Sequence, residues 1–429
     1  MNKNTFVIGF MLFAIFFGAG NLIFPPKLGL DSGAEFWPAI TGFVLTGVGL
    51  PLLGIIVSAY YEGGYQAALN RIHPWFSVLF LTAVYLAIGP FFAGPRTGAT
   101  AYEMAVVPFL GEAGAMSLLA FTAVYFGIAL WLSLNPSKMV DRIGSVLTPV
   151  LLLAIAALVA SAWFALSGSP PALNAEAGKN FLADGILSGY FTMDALASLA
   201  FSVIVLSAVK AKLGSGASLV KETAGAGIVA AVALALIYVS LGWIGNKMPV
   251  SPETLTDLNE KGLNIGTYLL NTATTQFLGD SGRIVLGIIV SLACLTTTVG
   301  LAVAVSEYFH GLFPKIAYKA YVVLFILISF ALANQGLSAV IGKSVPVLLV
   351  LYPISMTVIF LLLANIFVRI PLTAQRLSVG LVTLISILSV AEAPFVQTLP
   401  LKTYSMEWLP FALGGVLIGW LLAKVFKTA

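Results

Sequence analysis

The chain has 429 residues, 59% of them hydrophobic and 9% charged, with a mean hydropathy of +1.02. No water-soluble domain of that length carries so little charge, so the composition excludes a soluble enzyme or binding module and places the protein in a membrane. The net charge of +4 does not point to nucleic acid, because the lysines and arginines are scattered through short connections and form no patch.

Taken in order, apolar runs predict about twelve spans, near 5–27, 36–60, 75–95 with a polar extension to 107, 115–134, 143–166, 181–209, 222–245, 283–309, 316–333, 338–367, 375–392 and 406–426. No stretch between them is long enough to fold alone, so one all-α membrane domain over 1–429 is expected. The run after Lys3 ends in Gly18-Ala19-Gly20 and could pass for a secretory signal, but apolar sequence resumes at Leu22 and cleavage would remove half a span. With the N-terminus cytoplasmic, inner connections collect Lys3, Arg71, Lys138, Arg142, Lys210, Lys212, Lys221, Lys315, Lys319, Arg369, Arg376, Lys424 and Lys427. Outer ones collect only Lys27, Lys179, Lys247, Lys261, Arg283 and Lys402, while acidic residues such as Glu112 fall mostly outside. That bias predicts both termini inside. Trp37, Trp75, Trp131, Trp163, Trp243 and Trp408 fall near predicted span ends, where amphipathic rings belong; Trp420 does not. The connection from Asn246 to Gly282 is too polar to span, and its apolar stretch Leu263 to Phe277 reads as a helix over the entrance or as a passive connector. Cys294, the one cysteine, lies in an apolar run and permits no intrachain disulfide.

Two spans are interrupted. In the first, Gly18-Ala19-Gly20-Asn21 weakens the helix halfway through an apolar run. In the sixth, the stretch from Leu187 to Asp194 brings glycine, hydroxyls and an acid into another. Irregular backbone at that depth persists only where protein, water or a ligand satisfies it. Interrupted spans at corresponding places in two halves point to a transporter site. Five spans separate them, so the second copy crosses in the opposite direction. The expected organisation is a five-plus-five inverted repeat, 1–166 and 181–367, followed by two additional helices over 375–429. Gly18, Ala19, Gly20 and Asn21, with Gly189, Tyr190, Phe191 and Asp194, form the expected substrate site. A half-helix ending near Phe17 exposes carbonyls and one starting after Asn21 exposes amides, a combination suited to a zwitterion. Aromatic and aliphatic neighbours, Phe16, Phe17, Leu22, Ile88, Phe91, Tyr190, Phe191 and Leu196, favour an aliphatic side chain.

The stretch Gly18 to Pro25 resembles the first-helix motif of sodium-coupled amino-acid transporters with a five-plus-five inverted repeat, except that Ile23 stands where neurotransmitter-type members carry a gating arginine. The fuller resemblance is to the bacterial branched-chain amino acid carrier family, through Phe16 to Pro26, Gly89 to Arg96, and Asn135-Pro136-Ser137-Lys138. It implies a bacterial inner-membrane symporter for leucine, isoleucine and valine, with no cofactor beyond a coupling ion. It also implies a sodium site built from the Ala14 and Phe17 carbonyls and hydroxyls of Thr296, Thr297 or Thr298. Read by themselves, such threonines equally bond the carbonyl one turn back. A proton-coupled carrier would need Asp194 or Glu103 instead, and Asp194 reads equally as a helix cap.

Arg96, Glu103, Asp194 and Lys343 are the ionisable residues within apolar context, where burial costs at least ~2.5 kcal/mol each. Arg96 and Glu103 share one helix face and are expected near the outer surface, in a structural ion network or, alternatively, in gating the substrate. A membrane enzyme is disfavoured because His73 and His310 lie far apart and no metal spacing occurs; no nucleotide-binding glycine loop supports ATP-driven transport. A channel is disfavoured by paired breaks around apolar walls.

Overall fold

The computed structural model describes residues 3–110, 114–134, 139–212 and 218–425; Glu112, Lys427 and Asn135-Pro136-Ser137-Lys138 lie outside the described residues. Every regular element among them is helical. The first span is divided into α1 (Lys3–Phe16) and α2 (Ala19–Ser32). Helices α3 (Phe36–Val44) and α4 (Leu50–Ala59) continue through a π turn, followed by α5 (Gly64–Ile72). The third span is α6 (Pro74–Leu86) and α7 (Ala93–Ala105), separated by a second π turn in which Gly89 leaves helical geometry (φ −92, ψ −108). Then come α8 (Ala115–Leu134), α9 (Met139–Leu166), the divided sixth span α10 (Phe181–Tyr190) and α11 (Asp194–Lys212), and α12 (Leu219–Lys247). After α13 (Pro252–Glu260), a long run α14 (Ile265–Leu312) bends at Gly279 (φ 69). The chain closes with α15 (Tyr318–Ala333), α16 (Leu337–Phe367), α17 (Leu372–Val390) and α18 (Leu409–Val425).

Among the described residues eight helical runs are long and apolar enough to cross a membrane, and Thr5–Phe16, Tyr318–Ala333 and Leu409–Val425 are shorter apolar helices. The difference from the twelve expected spans has a geometric reason. The divided first and sixth spans count in halves, Ala19–Ala59 joins the second half of one span to the next across a turn at Gly33, and the undivided α15 and α18 have only 16 and 17 residues.

Packing interlocks the two repeats. α1 and α2 lean on α12, the helix after the second break, while α10 leans on α3 and α11 on α4, the helices after the first. Close approach requires glycine at these crossings: a Cβ at Gly245 would sit 2.0 Å from the Pro26 oxygen, and one at Gly185 only 1.9 Å from the Ala39 oxygen. Asn246 Nδ2 donates to the Gly29 and Gly33 carbonyls (2.9 and 2.8 Å), satisfying groups left open at the end of α2.

The helix expected over Leu263 to Phe277 is present as the start of α14. The additional helix α13 has a readable start, since Ser251 caps it (Thr254 N to Ser251 Oγ, 3.1 Å) and Pro252 follows. Two expectations are corrected. Lys343 is exposed near the start of α16 and donates to Gln335, because that helix begins only at Leu337. Trp408 is buried edge-on against Tyr352 (5.8 Å), whereas Trp37, Trp75, Trp131 and Trp163 are exposed at helix surfaces.

Gly185→Val should therefore lower the thermal stability of the detergent-solubilised protein by at least ~1–3 kcal/mol, by overpacking. Gly127→Val, on open α8 surface with nothing within 4 Å of its Cβ position, should leave it unchanged. Size-exclusion chromatography after heating reads both.

Candidate substrate and ion site

The last helical bond before the first break runs from Phe17 N to the Phe13 carbonyl (2.8 Å). Gly18 is extended (φ −127, ψ −164), and its amide donates to Asn21 Oδ1 (3.0 Å) in place of the Ala14 carbonyl. One asparagine thus ends α1 and starts α2. Its other side-chain atom reaches the second break: Asn21 Nδ2 donates to Asp194 Oδ2 (2.6 Å) and to the Tyr238 hydroxyl, which donates to the same carboxylate oxygen (3.2 Å). Asn21, Asp194 and Tyr238 are all buried.

The second break falls at Phe191 to Met193. Met193 takes a left-handed conformation (φ 71), and Asp194 opens α11, where the positive end of the helix dipole meets its carboxylate. The Phe191 carbonyl, freed by the break, accepts from Arg96 Nη1 (2.8 Å). The Thr192 hydroxyl donates to the Gly189 carbonyl (2.8 Å).

Between the breaks lies a cavity of about 40 Å³. Its wall combines Gly18, Ala19, Gly20, Asn21, Arg96, Thr97, Thr192, Asp194 and Thr297 with the apolar Ile15, Phe16, Ile88, Ala93, Met193, Ala197, Phe201 and Leu301. That volume holds a few waters and is far below the hundreds of Å³ typical of organic-ligand pockets.

Of the residues expected at the substrate site, Gly18, Ala19, Gly20, Asn21 and Asp194 line this cavity; Gly189, Tyr190 and Phe191 do not. The reason is that α10 runs on to Tyr190. Gly189 packs α10 against α3, with a Cβ position 2.4 Å from the Phe43 oxygen, and Tyr190 lies edge-on against Tyr352 (4.4 Å). Phe191 contributes its carbonyl. Among the expected apolar neighbours, Phe16 and Ile88 line the cavity, while Phe17, Leu22, Phe91 and Leu196 face elsewhere; Phe17 stacks on Phe13.

Arg96 corrects another expectation. Instead of joining Glu103 in a surface ion network, it is 2% exposed beside the breaks, over the Phe24 ring (5.3 Å). Glu103 accepts from the Thr267 hydroxyl and the Asn264 amide (3.1 Å), and so ties α7 to the start of α14. A larger cavity, about 410 Å³, lies beside that tether.

Of the three threonines on α14, only Thr297 lines the central cavity; its hydroxyl lies 3.8 Å from the position of a Cβ on Gly18 and donates to the Ala293 carbonyl (3.1 Å). Thr296 donates to that same carbonyl (2.8 Å). Thr298 is engaged with Thr97 (2.5 Å) and Tyr125 (2.8 Å). Sequence reasoning missed Tyr238, for which the one phenol within the apolar run of α12 was the available signal; Thr192 and Met193 lay within the quoted interruption but were not assigned to the site.

The family described as branched-chain amino acid transport protein matches residues 1–426. The chain belongs to this family. Two Staphylococcus aureus proteins, from strains USA300 and COL and provisionally named as branched-chain amino acid carriers, are each 52% identical over 438 residues, covering 100% of this chain and 98% of their own. Among solved structures, the nucleobase-cation-symport-1 family transporter Mhp1, in a closed conformation with bromovinylhydantoin bound, superposes with a TM-score of 0.63 at 15% identity, covering 98% of this chain and 93% of its own. MhsT in complex with L-phenylalanine gives 0.57 at 17% identity, covering 96% and 98%. Family and fold are those of transporters, with about twelve helices in a five-plus-five inverted repeat and broken first and sixth helices.

The close contact between the breaks makes Gly20 a sensitive position. A Cβ there would meet Arg96 Nη1 at 2.9 Å and Thr192 Cα at 3.1 Å. Gly20→Leu should insert normally in the membrane and lose uptake by ~10-fold or more, which transport by the purified, reconstituted variant measures.

Proposed function

We propose that the protein is a secondary symporter that imports leucine, isoleucine and valine with sodium. The observation that carries this reading is the stitched pair of breaks at Asn21 and Asp194, beside a small cavity lined by both polar and apolar residues. The α2 amides suit a carboxylate, Asp194 suits an ammonium group, and Phe16, Ile88, Phe201 and Leu301 suit a branched aliphatic chain. A methylene more or less in such a pocket changes binding by ~1–3 kcal/mol, so one site accepts all three substrates with modest preference.

Sodium coupling is supported by the nearness of Thr297 to Gly18, next to the Ala14 and Phe17 carbonyls at the end of α1. Carbonyls and hydroxyls are neutral oxygens that hold a hard cation and do not titrate near neutral pH. The proton-coupled alternative rests on Asp194, the one carboxylate lining the cavity. The excess of basic residues in alternate connections supports a reading with both termini in the cytoplasm and the protein in a bacterial inner membrane, the repeats being taken as 1–166 and 181–367 with two additional helices at 375–429.

In proteoliposomes, leucine uptake should be saturable, should exchange against internal leucine, and should require sodium at fixed pH and membrane potential. Thr297→Val keeps the shape and deletes one oxygen, so the sodium concentration for half-maximal uptake should rise severalfold, a loss of ~1 kcal/mol. Thr298→Val, which loses its bonds to Thr97 and Tyr125, should weaken stability and leave the sodium requirement in place. Undiminished sodium-free uptake that follows an imposed pH gradient would reject the sodium site.

A further inference from the structure

We infer that Arg96 is a direct ligand of the substrate carboxylate, holding it through the Nε–Nη2 edge of the guanidinium while Asp194 holds the ammonium group. This rests on the amino-acid transport reading above and names a side chain which that reading leaves unused.

The guanidinium is 2% exposed and forms part of the cavity wall. Only one of its nitrogens is engaged. Nη1 donates to the Phe191 carbonyl, whereas Nε and Nη2 have no acceptor among the described residues. Buried donors without partners are costly and rare, so a free pair on one edge marks a place for a missing acceptor. Those two nitrogens present parallel N–H groups, the geometry that receives both oxygens of a carboxylate. The face of Phe24, 5.3 Å away, and the bond to Phe191 fix the plane of the fork.

Asp194 lines the same small cavity, yet its hydrogen bonds go to Asn21 and Tyr238, and no ion pair joins it to Arg96. A cation and an anion that face one cavity without pairing are matched in sign to the two ends of a zwitterion. Gly20, in the first turn of α2, meets Arg96 with no side chain to block the approach, a Cβ position there being 2.9 Å from Nη1. The turn at Gly89 to Phe92 sets α7 so that Arg96 arrives at this depth; its amide bonds to the Phe92 carbonyl (3.0 Å). Propping the second break through the Phe191 carbonyl needs a single donor, which leaves the fork unexplained.

The test uses three ligands with the same branched chain: leucine, 4-methylpentanoate, which lacks the ammonium group, and 3-methylbutylamine, which lacks the carboxylate. Affinities are measured by titration calorimetry on the detergent-purified protein with sodium present. Arg96→Gln should weaken leucine and 4-methylpentanoate by ~10-fold or more and leave 3-methylbutylamine within ~2-fold. Arg96→Lys, which keeps the charge and loses the fork, should fall between wild type and Arg96→Gln for the two acids. If all three ligands weaken together in both variants, Arg96 only positions the break and the assignment is overturned. Unchanged acid affinities overturn it as well. Failure of the unaltered protein to bind leucine removes the transport premise itself, a result distinguishable from either.

Discussion

Backbone polar groups inside a membrane have no water to turn to, so a helix can be interrupted there only where something else satisfies the freed groups. In this protein a few buried side chains answer part of that demand. Asn21 takes the Gly18 amide with its oxygen and gives its nitrogen to Asp194 and Tyr238, so the two interrupted spans and α12 share one hydrogen-bonded centre. Arg96 does the matching service for the second break by donating to the Phe191 carbonyl. Asn21, Asp194 and Arg96, which take part in those bonds, also line the cavity.

The rest of the fold serves to bring that centre together. Each broken span docks on the helix that follows the other, through glycines whose missing side chains allow backbone contact. α7 and α14 pack closely together and bring Arg96, Thr97 and Thr297 to the breaks. The cavity between the breaks is about 40 Å³, too small for an organic substrate, so binding one requires its walls to rearrange. The long connection, tied to α7 through Glu103, packs at the end of the helix that carries Arg96.

Much of this was legible in the sequence, and the misses have physical causes. The first break announces itself because two glycines and an asparagine cluster in an otherwise apolar run. The second was drawn over the whole of Leu187 to Asp194, which contains it: Ser188 and Gly189 look like helix breakers, but Gly189 is there for its contact with Phe43 and Thr46, and the chain departs from helix only at Phe191 to Met193. A packing glycine and a breaking glycine are alike in sequence. Arg96 was expected near the surface because its depth depends on the turn at Gly89, whose displacement of α7 cannot be counted from residue numbers. Three adjacent threonines cannot be told apart until the rotation of α14 is known, and only then does Thr297 emerge as the one beside Gly18.

The central claim is that the two breaks act as one unit through Asn21 and Asp194, and a double-mutant cycle on leucine affinity tests it most directly. Asn21→Ala, Asp194→Ala and the double variant would each be titrated with leucine against the unaltered protein. Because each single change removes the same bond, the account predicts that the double variant is no weaker than the worse single variant, with a coupling of ~1 kcal/mol or more. Losses in the double variant equal to the product of the two single losses would mean that the breaks act independently, and would contradict it.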